Sequence, residues 1–325
     1  MYKLRLIPDN TNFQFMKGRI VGLALSAFLS VVSIILFFHP GMNYGIDFRG
    51  GLVIEARLPQ EADFPVLRDM MHGLELGQVA LQEFGSKQDV LIRIGRQEGD
   101  DAAAQRAADK VRGALTKAYP GAELRRVEAV GASVSDELFR DGMIAMGLAM
   151  LAMLAYIWFR FEWQFGVGAV VTLVLDVTKT VGFYVVTDIQ FNLVAIAAIL
   201  TIMGFSINDK VVVYDRVREN LRKYKTLPLR QLIDRSINET LNRTINTSIT
   251  VFLSTLPLAL FGGEAVQGFA IVLLFGIVLA TSSSIFIAAP ILLFLGENRL
   301  RRGTPEEQQA TPGKSAKPEK QAPAP

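Results

Sequence analysis

Six stretches of this chain are apolar over lengths that match a lipid bilayer, and no other feature restricts its fold so strongly. They run near Ile20 to Phe38, Gly142 to Phe159, Phe165 to Val186, Ile189 to Tyr214, Asn246 to Phe261 and Val266 to Leu295. A helix needs about 20 such residues to cross a hydrocarbon core of roughly 30 Å. No water reaches the backbone there, so every N–H and C=O must be satisfied within the protein, and segments of this kind are expected to be helical. Half of the residues are hydrophobic, the mean hydropathy is +0.31, and charge gathers between the apolar stretches. An ordinary soluble domain is excluded. The first stretch lacks a clear small-residue cleavage site and leads into a segment that looks structured, so it reads as a retained anchor, not a signal peptide.

Orientation follows from the lysines and arginines of the short connections. With six crossings, Lys3, Arg5, Lys17 and Arg19 fall on the same side as Arg160, as the group from Arg216 to Arg235, and as Arg299, Arg301 and Arg302. The short turns opposite carry only Asp188 and Glu264. Both termini are therefore expected in the cytoplasm. The resulting plan has an arm over 1–19, a first helix over 20–38 and an exported domain over 39–141. A helical bundle follows over 142–296, with a basic cytoplasmic loop at 215–243, then a Pro-, Ala-, Lys- and Gln-rich tail over 297–325 that is expected to be disordered.

The segment between the first two helices has the pattern of a small α+β domain. Leu52 to Leu58 alternates as a strand, Phe64 to Leu74 has helical spacing, and Val79 to Phe84 and Asp89 to Ile94 read as strands. Asp100 to Ala118 is an amphipathic helix stopped by Pro120 and Gly121, and Ala122 to Val127 is a last strand. The order β-α-β-β-α-β is that of a ferredoxin-like unit. The chain has no cysteine, so the domain is expected to hold without disulfides.

Several chemistries find no support. Gly313, Lys314 and Ser315 resemble the end of a phosphate-binding loop, but Gln308 stands where that loop needs glycine. His39 and His72 are far apart and there are no thiols, so neither a zinc site nor a Ser-His-Asp constellation is expected. Basic stripes with interleaved aromatics, the mark of a nucleic-acid binder, are missing. The chain reads as neither an enzyme nor a cofactor carrier, and its energy is expected to come from an electrochemical gradient.

The candidate site lies at the end of the fourth apolar stretch, in Ser206, Ile207, Asn208, Asp209 and Lys210. An acid at such depth costs a few kcal/mol and normally lines a protein interior or a water path. Burial disfavours its charged form and a neighbouring cation favours it, which together poise an acid for reversible protonation.

Longer segments carry a resemblance to a family. Gly45-Ile46-Asp47-Phe48-Arg49-Gly50-Gly51, the run from Ser206 to Asn220, Thr240-Leu241-Asn242-Arg243-Thr244, and Phe261-Gly262-Gly263-Glu264 with Gly268 and Phe269 resemble the signature segments of SecF. The resemblance covers the chain up to Leu295. It implies a six-helix half-transporter of the RND superfamily with one exported ferredoxin-like domain, a subunit of the SecDF complex in the bacterial inner membrane. It also implies proton-driven assistance to protein translocation, with SecD as the homologous half, the SecYEG translocon and YajC as further partners, and unfolded polypeptide as cargo. Asp209 and Arg243 are the functional acid and arginine it implies, with Asn208 beside them. Arg243 would start the fifth helix, with Thr247, Thr250 and Ser254 on its face; a static Asp209–Arg243 ion pair is the structural alternative.

Two residues depart from the family pattern. Leu175 stands where histidine commonly precedes Asp176, and Lys179 follows one turn later. Asp176 and Lys179 share a helix face with Thr172 and Thr180, as a self-neutralising pair or as members of the proton path. Lys210 replaces a small polar residue; it is expected to snorkel toward the headgroups, with a bridge to Asp176 as the alternative. Asp47, Gly50 and Gly51 form either a tight turn into the first strand or a hinge that couples the domain to the membrane unit. Small residues at Gly22, Ser26 and Ser30, and at Gly276, Ala280, Ser284 and Ala288, mark close helix contacts within the chain or with a partner. Half of a small-molecule exporter and a non-transporting scaffold remain as other readings. The single compact domain disfavours the first, and the intramembrane acid the second.

Overall fold

A short 3-10 turn at Phe15–Lys17 precedes the first crossing helix, α1 (Arg19–Phe38), in a computed structural model that describes residues 11–97 and 102–295. The expectations for Lys3, Arg5, Arg299, Arg301, Arg302 and the tail lie outside the described residues. After α1 the chain makes one helical turn, α2 (Ile46–Arg49), and enters the domain. There it forms β1 (Gly51–Arg57), α3 (Phe64–His72), β2 (Val79–Phe84), β3 (Ser86–Ile94), α4 (Ala103–Ala118) and β4 (Glu123–Val130). The membrane unit continues with α5 (Ala132–Arg160), α6 (Trp163–Thr187), α7 (Leu193–Lys223) and α8 (Leu229–Phe261). The last crossing runs from α9 (Gly263–Ser283) through a π-helical turn at Ser284–Ala288 into α10 (Ala289–Phe294). Among the described residues, six helices are thus long and apolar enough to span a membrane.

The domain sheet is antiparallel in the order β2-β3-β1-β4, the ferredoxin-like arrangement. Alternation sends Leu52, Ile54 and Ala56 of β1 and Val90, Ile92 and Ile94 of β3 to one face. They bury there against Leu67 and Met71 of α3 and Val111 and Leu115 of α4. The opposite face carries Glu55, Arg93, Arg126 and Glu128 toward the near ends of α6, α7 and α9, across a crevice of about 440 Å³. Arg126 spans Glu55 at 3.3 Å and Glu128 at 2.8 Å, so both acids of this face share one guanidinium.

Helix ends extend beyond the apolar stretches. α5 starts at Ala132 and not Gly142, and its first turns pack Phe139 against Tyr44 and Phe48. α7 continues past Tyr214 to Lys223, and α8 begins at Leu229 and not Asn246. The basic loop expected over 215–243 is therefore two helix ends joined by 224–228, with Arg243 inside α8. Hydropathy averaged over a window misses these amphipathic extensions, which bury Val217, Leu221, Leu232, Ile233 and Ile237 in the core and carry ion pairs on their outer faces: Arg216 with Glu239 at 2.7 Å, Arg235 with Glu239 at 2.9 Å, and Arg160 with Asp215 at 2.7 Å.

The small-residue faces of α1 and α9 are contacts within the chain. Gly22 lies against Phe286, Ser26, Ser30 and Ser33 are buried, and Gly276 lies against Ile202. Gly182 of α6 faces Ser33 so closely that a Cβ would sit 2.9 Å from the Ser33 Cα. Gly182→Val is therefore expected to lose about 1–3 kcal/mol by overpacking the α1–α6 contact. Gly204→Ala, where the added methyl meets nothing within 4 Å, is expected to be neutral or mildly stabilising. Unfolding of the two variants in mixed micelles separates these outcomes.

Candidate functional site

Four crossing helices bring polar side chains together in the middle of the bundle. α6 supplies Asp176 and Lys179, three residues apart and so on one face. α7 supplies Ser206 and, one turn later, Lys210; α9 ends at Ser283, and α1 contributes Ser26. Asp176 Oδ1 accepts from Lys179 Nζ at 3.3 Å. Its Oδ2 accepts from Ser283 Oγ at 2.7 Å, Ser206 Oγ at 2.8 Å and Lys210 Nζ at 3.0 Å. Lys179 also donates to Ser26 Oγ at 3.1 Å, and Lys210 to the Ser206 carbonyl and hydroxyl and to Ser283 Oγ. Asp176 is 1% exposed, Lys210 1% and Lys179 5%, so this network is sealed from solvent.

Asp209 is buried in the same bundle but in a different setting. Its Oδ1 accepts from Thr244 Oγ1 of α8 at 2.8 Å, while its buried Oδ2 has no well-formed hydrogen bond among the described residues, with the Ser284 hydroxyl of the π-helical turn beside the carboxylate. A carboxylate oxygen left this way is costly unless it carries a proton or gains a partner.

Asp176 and Lys179 meet, as their spacing implies. Lys210 does not snorkel: Asp176 and two serines draw its ammonium inward, a better partner set than distant headgroups. Arg243 is exposed, and no ion pair joins it to Asp209 among the described residues. The next residue, Thr244, lies about 100° further round the helix and takes the inward position. Asn208 is likewise exposed, and the structure does not bring it to the carboxylates. Ser283, Thr244 and the bonding roles of Ser206 and Ser26 escaped the sequence reading. A hydroxyl in an apolar helix reads as a packing residue, and only the position of a carboxylate on another helix distinguishes a donor.

The segment from Gly45 to Gly51 forms both a turn and a junction. Gly50 and Gly51 have φ of +69° and +123°, and a Cβ on Gly51 would stand 2.5 Å from the Ile94 carbonyl oxygen of β3. Just before them, Gly45 N donates to Phe191 O at 2.9 Å and Phe191 N to Asn43 O at 2.8 Å. Asp47 Oδ2 accepts from Leu193 N at 3.0 Å, which caps α7 beside the Asn192 cap. The entry to the domain is thereby bonded to the helix that carries Asp209 and Lys210.

Fold and site together define a protein-export membrane protein of the SecD/SecF type. The family "Protein export membrane protein SecD/SecF, C-terminal" matches residues 110–298, and the "SecD/SecF GG Motif" matches residues 35–58. Protein translocase subunit SecF of Rickettsia rickettsii (strain Sheila Smith) is 46% identical over 293 residues, which cover 90% of this chain and 94% of that protein. SecF of Rickettsia bellii (strain OSU 85-389) is 44% identical over 303 residues, covering 93% and 99%. The chain belongs to the SecF family of protein translocase subunits. It also resembles the crystal structure of SecDF, a translocon-associated membrane protein from Thermus thermophilus, with a TM-score of 0.76 at 30% identity. That match covers 89% of this chain but 39% of the SecDF chain. SecDF in its super-membrane-facing form matches with a TM-score of 0.66 at 30% identity, over 93% of this chain and 40% of that one.

The carboxylate with two ammonium partners sets an order of severity. Asp176→Asn leaves two buried lysines without a counter-ion and is expected to destabilise the bundle by about 3–5 kcal/mol. Lys179→Gln is expected to be milder, because Asp176 keeps Lys210. Combining the two leaves Lys210 unpaired, so the double variant is expected to remain well below the native protein in denaturant titrations.

Proposed function

We propose that this chain is one half of a proton-driven SecDF-type machine that promotes export through SecYEG, and that Asp209 is its proton-exchanging acid. The observation that carries the reading is Asp209 itself, deep in the membrane unit with one oxygen bonded to Thr244 and the other without a well-formed hydrogen bond among the described residues. One proton crossing releases about 2.3 kcal/mol per 100 mV, comparable with the few kcal/mol that separate conformers of a two-state protein. The chain acts as a translocation subunit and not as an enzyme.

A homologous half, SecD, is the partner this reading requires. On α8, Arg243, Asn246, Thr247, Thr250 and Ser254 are exposed in the crossing region, and on α7 so are Thr201, Gly204 and Asn208. Polar and small residues suit a helix contact and not lipid. SecDF chains are more than twice as long as the part this chain matches, which supports a second half over these faces. Arg243 and Asn208 would then meet the proton path from the partner side. SecYEG and YajC are the further partners, and unfolded polypeptide the cargo.

The bias of lysine and arginine in the connections supports a topology with both termini in the cytoplasm of a bacterium, the bundle in its inner membrane and the domain over 39–141 outside. The Asp47 cap on α7 supports Gly50 and Gly51 as the coupling point between that domain and the acid. Asp209→Asn keeps the side-chain shape but cannot cycle a proton. In inverted vesicles the variant is expected to assemble normally and to lose the gradient-dependent increment of export; unchanged export in energised vesicles would refute the proton role.

A further inference from the structure

We propose that Lys179 and Lys210 are resident counter-ions that hold Asp176 as a carboxylate throughout the cycle, so that proton exchange within this chain is confined to Asp209. The inference deepens the proton-exchange reading above and rests on it for the role of Asp209.

The geometry around Asp176 favours the carboxylate over the acid. Both oxygens already accept: Oδ1 from Lys179, Oδ2 from Lys210, Ser206 and Ser283. A proton on Oδ2 would displace the Lys210 ammonium or turn a serine hydroxyl from donor to acceptor, and one on Oδ1 would displace the Lys179 ammonium. Protonation would also leave two ammonium groups facing a neutral acid in a low-dielectric core. The groups packed round the site add no other charge. α1 presents Ser26, α7 presents Ser206 with Lys210, and α9 presents Ser283. Among the described residues, the buried charged side chains of the crossing helices are Asp176, Lys179, Asp209 and Lys210.

Charge counting gives the pair of lysines its consequence. Asp176 with two ammonium groups carries one excess positive charge, which an ionised Asp209 balances. The buried set is therefore neutral when Asp209 is ionised and positive when it is protonated. Proton uptake at Asp209 changes the charge of the whole bundle core, whereas Asp176 serves as fixed ballast.

A carbodiimide that adds to protonated carboxylic acids in apolar surroundings tests this without a gradient or a translocation assay. The full-length protein, in membranes, is treated with dicyclohexylcarbodiimide near neutral pH, and the adducts are located by peptide mass spectrometry. Asp209 is expected to label, and Asp176 to label at least about tenfold less, the ratio that one unit of difference in protonation equilibrium produces. In the Lys179→Met, Lys210→Met double variant, Asp176 loses both cations and is expected to label comparably with Asp209. Appreciable labelling of Asp176 in the native protein overturns the proposal, as does an Asp176 that stays unlabelled in a double variant with native elution and melting. If the double variant fails to accumulate, Lys210→Met alone, which frees Oδ2 of its ammonium, is expected to raise Asp176 labelling, and no rise overturns the proposal. Native Asp209 that does not label removes the confinement to that residue. Should Asp209→Asn keep its gradient response, the transport reading fails while the labelling at Asp176 is judged separately.

Discussion

A carboxylate buried in a membrane core must be compensated by groups the protein itself provides, and that requirement organises this bundle. Asp176 draws donors from α6, α7 and α9, and through Lys179 it reaches α1. Each donor fixes the rotation of its helix, since a turn of about 100° would remove it. The π-helical turn after Ser283 belongs to the same solution. It changes the phase of the sixth crossing so that Ser283 meets Asp176 while Phe286 lies against Gly22 and the Ala288 carbonyl accepts from Tyr214 at 3.0 Å.

The apolar interior around this network is built from close contacts of small residues. Ser33 against Gly182 and Ile202 against Gly276 bring helix axes near enough for the short hydroxyls of Ser26 and Ser283 to reach their partners. A bulkier face would hold Ser26 and Ser283 out of range and leave the acid with Ser206 and the two lysines.

Much of this was legible in the residues. Six apolar runs dictated the crossings, and period-two alternation in Leu52 to Leu58 with helical spacing in Phe64 to Leu74 dictated the domain order. The pairing of Asp176 with Lys179 followed from their spacing along one helix. What spacing does not encode is which helix lies across the way. Lys210 therefore read as a snorkelling residue, and Thr244 was overlooked beside Arg243, one position earlier on the same helix. Helix ends beyond the bilayer were also hidden, because the extensions of α7 and α8 are amphipathic, with Val217, Leu221, Leu232 and Ile233 buried and charged residues outside, so their mean hydropathy is low.

α7 is a single uninterrupted helix of 31 residues, about 46 Å long at the standard rise. One end is capped by Asp47 from the domain entry, and the other carries Asp215, clamped by Arg160. Asp209 and Lys210 lie between those fixed points, so the helix behaves as a keyed shaft. Its register is consequently closed to length variation. One residue inserted between Asn192 and Ser206 would turn the charged residues by about 100° relative to the cap, and no side-chain substitution could restore both. The domain loops carry no such constraint, so insertions and deletions in this protein should accumulate there while the span of α7 from its cap to its acid keeps a fixed residue count.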